Sequence, residues 1–164
     1  MPTTKRAQPD ACSLLDADHR LVKKLFKAYE ELAKSKAAIA SQKKRDLANE
    51  ICAELSVHAR IEEEIFYPAL REALRETDLV DEAEVEHATA KDLIAQIQEA
   101  AEVDDMFDAK VTVLGEYIDH HVKEERNEMF VKARAAHGLD LVAMREELAA
   151  RKEELMAELS GAIP

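Results

Sequence analysis

Tryptophan is absent from this chain of 164 residues, glycine occurs three times, proline four times and cysteine twice. Gly115, Gly138 and Gly161 are too few to turn a chain repeatedly through a sheet. No stretch alternates polar residues with apolar, β-branched ones over strand length either. Cys12 and Cys52 lack a C-x-x-C spacing, which excludes a disulfide scaffold or a thiolate metal site and leaves reduced, buried thiols as the expectation. No run approaches the roughly 18 apolar residues of a membrane span, and Met1 to Asp10 is polar with no apolar signal core. A soluble, cytoplasmic protein is therefore expected. Positive charge is also short: 23 Lys and Arg are interleaved with 35 Asp and Glu, giving a net charge of −12. That balance argues against nucleic acid and against an anionic membrane surface as partners.

What remains is an alphabet of Ala, Leu, Glu, Lys and Arg, which forms helices, in a length that suits one domain. We expect an all-α fold. Residues 1–10 read as a disordered arm ending where Asp10 or Ser13 can cap a helix. The first helix then runs to about Ala38, with Leu15, His19, Val22, Phe26 and Tyr29 on one stripe. A second starts near Ser41 and carries Leu47, Ile51, Leu55, His58, Glu62 and Phe66, with Pro68 expected to kink or end it. The third, from about Leu79 to Ala100, turns Val80, Ala83, His87, Ile94 and Ile97 inward. The fourth, Met106 to Ala136, carries Val111, Leu114, Ile118, His121, Glu125 and Met129 and stops at His137-Gly138. Short connections between four long helices predict an antiparallel up-down-up-down four-helix bundle over 11–137. Residues 138–164, with Leu141, Leu148 and Leu155 at sevenfold spacing, predict an additional C-terminal helix, packed on the bundle or at a homo-oligomer contact.

A His and a Glu four residues apart share a helix face one turn apart, so both can reach one metal or one metal pair. This spacing occurs at His58-Ala-Arg-Ile-Glu62 and at His121-Val-Lys-Glu-Glu125. One such pair in a Glu-rich helix means little, because solvated acids are everywhere. The larger pattern means more: a lone histidine on an apolar stripe precedes each motif by one helix, His19 before His58 and His87 before His121. In a bundle these groups converge from four sides on the core, and imidazole with carboxylate suits iron, manganese or zinc. Burying two carboxylates there is costly without a cation. His120 points about a quarter turn from His121, and pairing it with Glu124 is the competing register. His137 fits the end of a helix.

The stretches HARIEEEIFYPAL, EHATAKDL and DHHVKEERNEMF resemble the hemerythrin-like family of HHE cation-binding domains. The resemblance covers about Ser13 to Ala136 and implies a non-haem di-iron centre with bridging carboxylates and an oxo, hydroxo or water bridge. It places the ligands at His19, His58, Glu62, His87, His121 and Glu125, with Phe66 and Phe130 beside them. Two departures separate the chain from the oxygen carriers of that family. Lys91 stands where they carry a further histidine, and Glu125 follows His121 by four residues where their aspartate follows by five. Both features resemble the bacterial branch and imply a more open metal pair. Glu63, Glu84 or Tyr117 are the side chains at hand to fill it, each also explicable as a solvated charge or a core-edge aromatic.

With both metals accessible, oxygen or redox sensing, NO binding, iron handling and a catalase-like or other oxidoreductase turnover of peroxide all follow from the resemblance. A ferritin-type site needs two E-x-x-H motifs, and only Glu84 to His87 has that spacing, since Leu55 and Ile118 precede the other two histidines. The alternative of another class is a metal-free or zinc-stabilised helical interaction module, which metal analysis separates.

Overall fold

The computed structural model describes residues 8–35 and 37–161, so most of the arm expected over 1–10 lies outside the described residues. The described chain is helical throughout, in the order α1 (Ala11–Ala33), α2 (Ala38–Ile61), a π turn (Glu62–Phe66), α3 (Tyr67–Ala73), α4 (Asp78–Glu99), α5 (Asp105–Glu124), a second π turn (Glu125–Met129), α6 (Phe130–Ala135) and α7 (Leu141–Leu159). The π turns join α2 to α3 and α5 to α6 end to end. Four rods, α1, α2–α3, α4 and α5–α6, therefore form the bundle, and α7 packs on α1, α2 and the first π turn.

Local chemistry fixes the ends. Asp10 caps α1: its carboxylate accepts from the Ser13 N–H at 2.9 Å while the Asp10 N–H reaches Ser13 Oγ at 3.4 Å, a reciprocal box worth about 1 kcal/mol. Asp104 and Asp140 cap α5 and α7 through Phe107 N–H and Ala143 N–H. The first helix ends at Ala33, earlier than the Ala38 expected, and α2 starts at Ala38 rather than near Ser41. Helix-forming Lys and Ala on both sides of that break gave no punctuation to read. Pro68 does not end the second rod, because it is the second residue of α3, just past the π turn, where the i→i−4 ladder is already interrupted.

The core is divided in two. One apolar cluster gathers Leu15, Ile61, Phe66, Tyr67, Leu70, Met129, Phe130, Leu141, Leu148 and Leu155, among others. The other gathers Val22, Ile51, Leu55, Ala90, Ile94, Val111 and Leu114. Leu141, Leu148 and Leu155 are thus spent inside the chain, against the bundle. Far from the division, buried Lys44 and the Tyr29 hydroxyl both bond Asp108, at 3.1 and 2.7 Å, and tie α2 and α1 to α5. Gly115 lets α5 close on α1, since a Cβ there would meet Phe26 at 3.0 Å. Between the two clusters, every rod contributes a polar residue to one buried layer.

Candidate metal centre

That layer consists of His19 on α1, His58 on α2, His87 on α4 and His121 on α5, with Glu62 and Glu125 at the first residues of the two π turns. All six are buried, and the glutamates most deeply, at 0 and 1% exposure. His19 Nε2 lies 3.1 Å from His58 Nε2. Glu62 Oε1 lies 2.6 Å from His58 Nε2 and 3.8 Å from His87 Nε2. Glu125 spans the other diagonal, with Oε1 3.4 Å from His19 Nε2 and Oε2 3.0 Å from His121 Nε2. The side chains divide into two groups whose donor atoms lie within 4.8 Å of one another, His19, His58, Glu62 and Glu125, and Glu62, His87 and His121. Glu62 belongs to both.

This arrangement fits a pair of cations. Both Glu62 oxygens, Glu125 Oε1 and His121 Nε2 make no hydrogen bond despite their burial, and a carboxylate so placed costs several kcal/mol unless a cation meets it. The close approaches above join atoms aimed at shared points rather than donors aimed at acceptors. The electrostatics agree. Burial opposes charge on His58, but the carboxylates of Glu62 and Asp18 outweigh it and raise its pKa well above the ordinary range. His121 is likewise disfavoured by burial yet raised to about 9 by Glu125, Glu62 and Glu86. Burial works against the Glu125 carboxylate as well, and the adjacent imidazoles of His121 and His19 overcome that and hold its pKa well below the usual value. A divalent cation would be the stronger partner for such a set, held by the imidazole Nε2 atoms in place of their protons.

Behind each imidazole stands a carboxylate that the motif search did not single out in that role. Asp18 Oδ2 is 3.0 Å from His58 Nδ1, Glu86 Oε2 is 3.1 Å from His121 Nδ1, Glu63 Oε2 is 3.2 Å from His87 Nδ1, and Asp16 Oδ1 is 3.5 Å from His19 Nδ1. For His58, His87 and His121 the carboxylate, which only accepts, keeps the proton on Nδ1 and turns the Nε2 lone pair inward, whereas Asp16 lies near His19 Nδ1 without a hydrogen bond to it. Three of the four are themselves held by cations: Asp16 by Arg126, Asp18 by Lys152 and Glu63 by Lys91. Glu63 and Lys91 therefore form one device. Named among the side chains that could fill an open position, Glu63 instead bonds the outer nitrogen of His87, and Lys91 anchors it. Glu84 pairs with Arg71 at 3.1 Å, away from the layer. His120 is exposed and meets Glu124 at 3.2 Å, leaving His121 as the inward residue.

The π turns add what helix periodicity conceals. Tyr67 N–H bonds Glu62 C=O and Phe130 N–H bonds Glu125 C=O, each across five residues. Tyr67 and Phe130 both stand nine residues after a motif histidine. In an unbroken α-helix that is about 180° away from it, and one extra residue in the turn brings them back by about 100°. Phe130 accordingly stacks on His19, with centroids 6.1 Å apart and planes at 8°. Tyr67 takes the corresponding place in the other half, its hydroxyl 3.1 Å from His87 Nε2 and 3.2 Å from Glu125 Oε2. It was Tyr117 that the sequence offered as a candidate; Tyr117 only lines the pocket above the layer. This pocket, about 30 Å³, is walled by Val22, Leu55, Ala90, Ile94 and Ile118 with the four histidines on its floor. A groove of about 330 Å³ between α1 and α5 meets it at His19, Val22, Ile118 and Val122.

Comparison with known proteins agrees with this geometry. The family model described as the hemerythrin HHE cation binding domain matches residues 10–133. A hemerythrin HHE cation binding domain-containing protein of Mycobacterium kansasii, known from its crystal structure, superposes with a TM-score of 0.72 at 24% identity, over 92% of this chain and 90% of that one. At this identity the likeness speaks for the fold. No curated protein matches the chain.

Proposed function

Because the chain belongs to the hemerythrin HHE cation-binding domain family, we propose that it holds two non-haem irons on His19, His58, Glu62, His87, His121 and Glu125 and binds or reacts with dioxygen or peroxide. The observation that carries this reading is Glu62 and Glu125: fully buried, short of hydrogen bonds, and each within reach of one histidine from either half. Two irons held by these residues would supply redox chemistry toward small oxidants. Manganese or zinc suits the same donors.

The protein's own part is positional. Asp18, Glu63 and Glu86 fix the imidazole planes of His58, His87 and His121, Phe130 stacks on His19, and Phe130 with Phe66 seals one side of the layer. Above the histidines, the aliphatic walls offer water few partners, so the pocket favours small neutral molecules: O2, NO and hydrogen peroxide. Nothing in the chain's composition calls for a nucleic acid. No described helix is long and apolar enough to cross a membrane, and a cytoplasmic site of action accords with two free, buried thiols.

Protein purified from iron-supplemented cells should carry about two irons per chain, with ligand-to-metal absorption that changes on adding O2, peroxide or nitric oxide. His58→Ala and His121→Ala should abolish both. Less than about one iron per chain, or a spectrum that survives both substitutions, refutes the reading.

A further inference from the structure

The C-terminal helix lies beyond the residues that match the family, yet it reaches the metal layer. Lys152 Nζ is 2.5 Å from Asp18 Oδ1, and the other oxygen of the same carboxylate is 3.0 Å from His58 Nδ1. Asp18 is 5% exposed and would otherwise keep one oxygen without a partner in a largely apolar setting. The helix that delivers the lysine is itself well anchored. Leu148 and Leu155 are buried in the cluster beneath the layer, Arg151 bonds Glu64 at 2.7 Å, and Arg145 bonds the Asp10 carbonyl at 3.1 Å.

We propose that Lys152 is a positioning residue for the metal centre, acting through Asp18 to fix the ring of His58, so that α7 is a working part of the site. With both oxygens held, the Asp18 carboxylate cannot rotate. Its bond to Nδ1–H then fixes the imidazole plane and the direction of Nε2. This inference rests on the metal reading for its purpose, but the contact chain exists whatever the metal. Metal affinity alone is a poor readout, because two effects oppose: losing Lys152 loosens His58, yet also removes a positive charge that repels incoming cations.

The decisive measurement follows the ring itself. In protein labelled with 15N-histidine, the Nδ1–H protons of His58, His87 and His121 are observed by NMR in both the metal-free and the zinc-loaded chain. Lys152→Met keeps the apolar stem that packs α7 and removes the charge. It should speed exchange of the His58 proton with water by about ten-fold or more while leaving His87 and His121 unchanged. Lys152→Arg should restore slow exchange, and Lys152→Met should add nothing in an Asp18→Asn background. Exchange at His58 within about two-fold of wild type, or equal acceleration at all three rings, overturns the proposal. Zinc failing to bind would refute the metal reading instead, and the metal-free spectra would still decide the role of Lys152.

Discussion

Replacing Tyr67 by phenylalanine tests the geometry of the layer without touching a proposed ligand. Burial, with the charges of Glu62 and Glu125, pushes the Tyr67 phenol well above its ordinary pKa, so the hydroxyl is a neutral donor. It donates to Glu125 Oε2 at 3.2 Å. A hydrogen bond to a charged acceptor contributes about 1.5–3 kcal/mol. The lower end applies, because Glu125 Oε2 keeps His121 Nε2 at 3.0 Å. The ring contacts survive the substitution, with Phe66 at 5.9 Å and His87 at 5.3 Å between centroids. A loss of about 1.5 kcal/mol in a chain of this size lowers Tm by roughly 3–6 °C. Thermal unfolding of the metal-free protein, followed by far-ultraviolet circular dichroism, measures it. Tyr117→Phe, at the pocket edge, should stay within about 0.5 kcal/mol of wild type. If Tyr67→Phe is as stable as wild type, the hydroxyl does not point into the layer and the π turn does not rotate it there.

Three further outcomes follow from particular contacts. Burial pushes the Cys12 and Cys52 thiols up to about 12, so a thiol-reactive disulfide reagent at neutral pH should label neither in the native chain and both after denaturation; prompt native labelling would contradict their burial. Ile118 borders both the small pocket and the α1–α5 groove, and Ile118→Trp should slow nitric oxide association with the iron-loaded protein by about ten-fold or more at unchanged iron content, whereas an unchanged rate points to another way in. Leu148 is fully buried on the inner face of α7, and Leu148→Ala should cost about 2–5 kcal/mol in urea unfolding; a cost under about 1 kcal/mol would mean that α7 is not docked.

The readable part of this protein was whatever repeats with the helix. Stripes of Leu, Val and Ile locate the rods, and His19, His58, His87 and His121 stand on those stripes, so the inward layer could be assembled on paper. What escaped depends on contacts between rods or on a change of period. Nothing in the surroundings of Asp16, Asp18 or Glu86 distinguishes them from the other acids of a chain with 35 of them. Only the fold brings each against an imidazole nitrogen. The π turns escaped for a different reason, since Val131 occupies in the second motif the place that Pro68 holds in the first, and proline therefore cannot be their cause. A usable signal did exist: both motifs place a large aromatic five residues after the glutamate, Tyr67 and Phe130, on what an unbroken helix would make the wrong face.

The two halves are built alike but finished differently. Each half has a lone histidine, an H-x-x-x-E rod with a π turn that starts at the glutamate, and an aromatic ring that the other half's π turn returns to the layer. In the half containing His19 and His58 the ring is Phe130, which presents only a face to His19. In the half containing His87 and His121 it is Tyr67, which places a proton-bearing oxygen between His87 and Glu125. The cations differ as well, since His58 is backed through Asp18 by a lysine from α7, and His87 through Glu63 by Lys91 on its own helix. A symmetric scaffold thus carries unlike neighbours around its two histidine pairs, a ring face beside His19 and a phenol hydroxyl beside His87.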